Sequence, residues 1–160
     1  MPTKRYQNRD SHLDITGKVI GCYEREFYCF SNFSSFAVRW KGKLWLTSEH
    51  AYQAAHFFKT APNLVQQIAT ATSAHVAFKL AKTNTAKAPA NWELIKSGIM
   101  EDILRHKLRQ HPYVKYKLMQ TGRRKIVEDS FRDSFWGWGP DKKGRNELGK
   151  LWMKLRDELR

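Results

Sequence analysis

Apolar residues recur along this chain mostly at intervals of three and four, the spacing of one helix face, and only briefly at strand spacing. The clearest case runs from Thr47 to Lys59. At about 100° per residue, Ala51, Ala54, Ala55 and Phe58 form a small-residue stripe fit to pack on a core. Glu49, Tyr52, Gln53 and His56 fall at i, i+3, i+4 and i+7 on the opposite side. Thr47 or Ser48 supplies an N-cap. Glu49 then sits in the first turn, where the helix dipole favours an ionised carboxylate. The helix is expected to end near Thr60, before Pro62.

The same pattern predicts the other elements. Lys18–Tyr23 reads as a first strand around Val19 and Ile20, and Ile126-Val127 as a short later one. The segment 27–36 is aromatic and loop-like, with Phe27, Tyr28, Phe30, Phe33 and Phe36 around Ser31-Asn32. Phe36–Trp40 and Lys43–Leu46 flank Lys41-Gly42 as a hairpin. Short helices follow over 63–70 and 73–82, the second capped by Ser73. Asn91 is expected to cap a long helix with Trp92, Ile95, Ile99, Ile103, Leu104 and Leu108 buried. Pro112 starts another helix that stops at Gly122. The last helix opens at Asn146 or Glu147, with Leu148, Leu151, Trp152, Leu155 and Leu159 as its apolar stripe. The fold class is therefore α+β: a mostly helical single domain with a small β-sheet over 18–160, after a polar, basic and mobile tail at 1–17.

Composition narrows the function. An apolar content of 41% with 13% aromatics excludes a disordered chain. No apolar run is long enough to span a membrane, and the polar start lacks a signal peptide's apolar centre. Cys22 and Cys29 match no zinc or redox spacing, so reduced thiols in a cytoplasmic protein are expected. The net charge of +14 points to a phosphate-bearing partner, either a mononucleotide or a nucleic acid. Its densest stretch is Arg105 to Lys125, which holds Arg105, Lys107, Arg109, Lys115, Lys117, Arg123, Arg124 and Lys125 and no acid. A solvated basic surface that serves only solubility would look the same.

Four places set polar groups beside aromatic rings outside any clean amphipathic pattern. They are Phe30-Ser31-Asn32-Phe33, the Glu49 face, Asn91-Trp92, and the segment 128–139. The last contains Trp136-Gly137-Trp138-Gly139, too glycine-rich for a helix or strand interior. Its rings could stack on a flat ligand or plug the core. The histidines do not pair at metal-ligand spacing, there is no phosphate loop or dinucleotide fingerprint, and no serine or cysteine nucleophile has a recognisable partner. What remains is acidic: Glu49 and Asp133 beside aromatic planes. Two carboxylates flanking a glycosidic bond are what hydrolysis through an oxocarbenium-like state requires.

These residues resemble a known family. Phe30-Ser31-Asn32-Phe33 and Thr47-Ser48-Glu49-His50 with Tyr52-Gln53 are similar to the NADAR domain, the YbiA-like N-glycosidases. The order continues through Asn91-Trp92, Met100, Lys107, Thr121-Gly122, Ile126-Val127-Glu128, Ser130, Asp133, Trp136-Gly137, Gly144, Asn146, Leu148-Gly149, Met153 and Arg156. The resemblance implies an α+β domain that cleaves an N-glycosidic bond without metal or other cofactor. It implies phosphoribosylamino-pyrimidine intermediates of riboflavin synthesis as substrates or, alternatively, ADP-ribosylated guanine in nucleic acid. A third reading is a non-catalytic module that binds nucleotides or nucleic acid, the latter through 105–125.

By the same resemblance Glu49 and Asp133 are the catalytic carboxylates, and Glu49 is poorly suited to general acid work because an acid needs a raised pKa. Trp92 and Trp136 stack on the base or close the pocket, with Phe33 as a further ring. Asn32, Tyr52 and Gln53 hydrogen-bond the sugar or base, Lys82 receives phosphate, and Gly137 and Asn146 complete the binding set. Ala81-Lys82 stands where relatives often carry Gly-Arg, and Lys87 also replaces an arginine. Lysine keeps the charge but loses the bidentate fork.

Overall fold

The computed structural model describes residues 18–23 and 25–160. The expected tail at 1–17 lies outside the described residues. The chain forms two compact units, divided at 31/32 and 115/116: one holds 18–31 and 116–160, the other 32–115. The elements are α+β, as the pattern predicts, but the strands form two separate two-stranded ribbons, one per unit, in place of one small sheet.

In the 32–115 unit, β2 (Val38–Trp40) and β3 (Lys43–Trp45) pair antiparallel with Val38 opposite Trp45. Lys41 and Gly42 both take positive φ, the two-residue turn whose twist suits a hairpin. Gln110 closes the free edge of β2, its amide bonding both the N–H and the carbonyl of Arg39 at 2.7 and 2.8 Å. Helix α1 (Ser48–Ala55) runs through the middle of this unit and packs on α2 (Pro62–Ala69), α3 (Ala74–Lys82), α4 (Trp92–Gln110) and both hairpin strands. Thr47 caps it, its Oγ1 accepting from His50 N at 3.2 Å. The helix is shorter than expected, because at Phe57, Thr60 and Ala61 bonds back to Ala54 and Phe57 fold the chain into turns. All eight of its residues are buried, so its polar side is not a solvated face.

Two expectations for α4 are corrected. Asn91 stands at the N-cap position, but its backbone lies outside the extended region a side-chain cap needs, and it makes no such bond. The buried stripe is also rotated: Trp92, Lys96, Met100, Ile103, Leu104, Lys107 and Leu108 face inward, while Ile95 is exposed and Ile99 half-buried. Two lysines take part because their aliphatic stems pack while their ammonium groups find partners. Lys107, wholly buried, donates to Ser34 Oγ at 3.0 Å.

Arg105, for its part, pairs with Glu101 at 2.7 Å. The basic stretch is therefore not one continuous surface. Arg109, Lys115, Arg123 and Lys125 are its exposed members.

In the other unit, β1 (Val19–Gly21) pairs parallel with β4 (Lys125–Val127), Ile20 opposite Ile126. The aromatic segment expected as a loop begins as a 3₁₀ helix over Arg25–Phe30. α5 (Pro112–Gln120) is where the chain crosses between units, and Gly122 at φ +59° follows it. α6 (Glu147–Glu158) packs on β4. Its buried face is Leu148, Gly149, Trp152, Leu155 and Arg156, whereas Leu151 is half-buried and Leu159 exposed. Trp152 donates to Phe30 O at 2.9 Å, and Arg156 donates to Thr121 Oγ1 and Arg124 O at 2.9 and 2.7 Å. Cys22 and Cys29 are buried and are not joined in a disulfide. Among the described residues no helix is long and apolar enough to cross a membrane, and no group of three or more potential ligands could hold a metal.

Two glycines separate close packing from helix propensity. A Cβ on Gly149 would overlap Ile126 O, whereas one on Gly98 of α4 meets nothing within 4 Å. Gly149→Ala is expected to cost roughly 1–3 kcal/mol and Gly98→Ala to gain about 0.5–1 kcal/mol. Urea unfolding of the two variants against wild type checks both signs.

Candidate functional site

The polar side of α1 is built as a network. Glu49 is 6% exposed and its Oε1 accepts from Gln53 Nε2 at 2.6 Å, a pairing set by the i, i+4 spacing. Glu49 N donates to Asn32 O at 3.1 Å, which ties the helix start to the Ser31-Asn32 turn. Asn32 Nδ2 lies 3.4 Å from Met100 Sδ, and its Oδ1 is buried with no hydrogen-bond partner. On the next turn of α1 the Tyr52 ring lies 5.5 Å from Trp92, tilted by 50°. Glu49, Tyr52 and Gln53 on α1 and Trp92 on α4 are thus gathered with Asn32 of the turn that leads to β2. Phe33 follows Asn32 in the chain and is exposed. Lys82 is exposed at the end of α3, its ammonium 5.7 Å from the Phe78 ring.

The other sequence-predicted residues sit in the loop 128–146 of the second unit. Asp133 Oδ1 accepts from both Phe135 N and Trp136 N at 2.8 Å, so its first task is to fix the turn that carries Trp136. Trp138 is buried and fills the core, while Trp136 is half-buried. A Cβ on Gly137 would come within 2.6 Å of Glu128 O and 2.8 Å of Asp133 O, so only glycine admits this backbone approach.

The loop is bound to the start of α6. Glu147 N and Leu148 N, donors without helical partners, donate to Phe135 O and Trp136 O at 3.0 and 3.1 Å. Asn146, left-handed at φ +52°, bonds Ile126 O and Glu128 N at 2.9 Å each. Both ends of its side-chain amide are thus bonded to the backbone.

This chain matches the family model for the NADAR domain over residues 21–160, through both units. The chain belongs to the NADAR domain family. It is 36% identical over 130 residues to N-glycosidase YbiA of Escherichia coli, covering 81% of this chain and 80% of that protein. The solved NMR structure of the E. coli protein YbiA matches with a TM-score of 0.80 at 34% identity, over 89% of this chain and 85% of that one. A Vibrio vulnificus protein named riboflavin biosynthesis protein VVA0006 is 35% identical over 129 residues, which make up 35% of its length.

Within this NADAR chain the structure adds residues that the sequence pattern left out. Lys96 is 9% exposed, lies one turn beyond Trp92 on α4 and pairs with Glu93. A lysine inside an apolar stripe reads as a surface residue unless the stripe's true phase is known. His56 rests on Trp92 with ring centroids 3.7 Å apart at 30°. One face of that indole is thus covered by the imidazole.

Burial pushes the His56 imidazole down to about 4, outweighing the opposing Tyr52 and Gln53 carbonyls, while the Lys96 charge adds a smaller push downward and Glu93 a smaller one upward. The unfolded chain binds this proton near pH 6.5 and the folded chain only near pH 4. Stability is then undiminished above the unfolded value and falls as pH drops through the window between them. His56→Phe is expected to flatten that acid-side fall. Unfolding free energies from pH 7 to about pH 4 check it, and equal slopes in the two proteins would contradict the assignment.

Proposed function

We propose that this protein is an N-glycosidase that hydrolyses the N-glycosidic bond of phosphoribosylamino-pyrimidine intermediates of riboflavin synthesis. The observation that carries the reading is the buried Glu49 carboxylate, held by Gln53 at the head of α1, in a chain whose relatives are named N-glycosidases. In the reaction the C1′–N bond breaks and its electron pair leaves on nitrogen, which takes up a proton. Water oxygen adds to C1′ and loses a proton. Glu49 stabilises the cationic sugar or orients the attacking water, an electrostatic role that suits an acid fixed by an amide donor.

Asp133 is the second carboxylate. Its Oδ1 holds the Trp136 turn, and no described hydrogen bond takes its Oδ2. Trp136 and Phe33 offer ring faces to the base, and Lys82 takes the phosphate. Asn32 contributes the buried Oδ1 that has no partner in the protein. The net charge of +14 supports a second substrate class, ADP-ribosylated guanine in an oligonucleotide.

Glu49→Gln and Asp133→Asn keep shape and remove charge. Asn at 133 can still accept from Phe135 N and Trp136 N. Each variant is expected to lose at least ~100-fold in turnover, read as free pyrimidine released from the phosphoribosylamino-pyrimidine. The oligonucleotide serves as parallel substrate. Near-normal release by Glu49→Gln removes that residue from the mechanism, and release only from the oligonucleotide selects the second class.

A further inference from the structure

His56 closes the polar side of α1, and no role given above makes use of it. Its Nδ1 lies 3.2 Å from the carbonyl oxygens of both Tyr52 and Gln53. Carbonyl oxygens only accept, so Nδ1 carries the proton and Nε2 holds a lone pair. Among the described residues no hydrogen bond takes that lone pair. His50 shows the contrast: its Nε2 donates to Ala71 O at 3.0 Å and its Nδ1 meets Thr47 Oγ1 at 2.8 Å, so both nitrogens serve the fold.

The surroundings of His56 are those of a recognition site. Its ring covers Trp92 at 3.7 Å and meets Tyr52 edge-on at 5.2 Å. Those two rings are buried while the imidazole is only half-buried, so it is the member of the cluster that solvent reaches. Three stations N-terminal on the same face lies Gln53, and at seven lies Glu49 at the site already described. Burial, helped by the neighbouring Lys96 ammonium, opposes a cation here, so the imidazole stays neutral. A base this weak is mismatched to proton transfer near neutral pH. What it offers is a rigid acceptor, oriented by the backbone and by the indole beneath it.

We propose that His56 Nε2 is a specificity contact that accepts a hydrogen bond from an exocyclic amino group of the substrate's heterocycle. The proposal rests on the glycosidase reading for the identity of that heterocycle. Sites built around a fixed hydrogen bond discriminate strongly against analogues that lack the partner.

The test compares binding of 5,6-diaminouracil and uracil by calorimetry, with base release from the N-glycoside followed in parallel. Wild type is expected to prefer the diamino compound by at least about tenfold. His56→Phe, which keeps a ring on Trp92, is expected to lose that preference and to raise KM about tenfold with kcat within about threefold. His56→Gln, with an acceptor oxygen, is expected to recover part of the preference. A preference that persists in His56→Phe, or is absent from wild type, overturns the proposal. Base release by wild type with no change in preference across the variants sinks the contact and leaves the glycosidase standing. A His56-dependent preference without base release does the reverse.

Discussion

The structure of the 32–115 unit depends on burying the polar side of α1. Three alanines, Ala51, Ala54 and Ala55, let neighbouring elements approach closely, and the approach encloses Glu49, His50, Tyr52 and Gln53 as well. A buried polar group left without partners costs about 1–3 kcal/mol, so each must be satisfied locally. Gln53 meets Glu49, Thr47 and Ala71 meet His50, and Asn32 takes the Glu49 amide. Ser48 Oγ and Asn32 Oδ1 remain buried without a partner, and His56 Nε2, seven positions on from Glu49, lies on the carboxylate's side of the helix. A carboxylate fixed by the protein with unspent polar groups near it suits preorganised chemistry.

The loop 128–146 solves a different problem. It has no regular secondary structure, yet its carbonyls are the partners of the first α6 donors and its aspartate fixes its own turn. Asn146 ties the end of β4 to that arrangement. The glycines at 137 and 149 are there because backbone passes where a Cβ would sit. Trp136 is therefore presented by a backbone fixed from both ends.

Much of this was legible in the sequence, for physical reasons. Thr47 reads as a cap because its hydroxyl satisfies a free amide, and Lys41-Gly42 reads as a turn because two strand-like runs flank a glycine that adopts positive φ readily. The helices over 63–70 and 73–82 and the parallel partners at 19–21 and 125–127 follow their apolar spacing. The phase of α4 was not legible, since period alone assigned Ile95 and Ile99 inward where Lys96 and Lys107 are buried through their stems. Asn146 and Asp133 show a second limit: motif order marks a residue as required, but only the hydrogen bonds show which backbone groups it also holds. His56 was on the right face, yet its tautomer needed coordinates.

The central claim is that Glu49 is buried for chemistry and not to hold the fold. Buried charges kept for function generally oppose stability, and their neutral isosteres relieve that opposition. The most direct measurement is the unfolding free energy of Glu49→Gln against wild type near pH 7. The account predicts an equal or higher value, because Gln53 can still donate to the amide oxygen at position 49. A loss of more than about 3 kcal/mol, the size seen when a buried structural ion tie is broken, would contradict it.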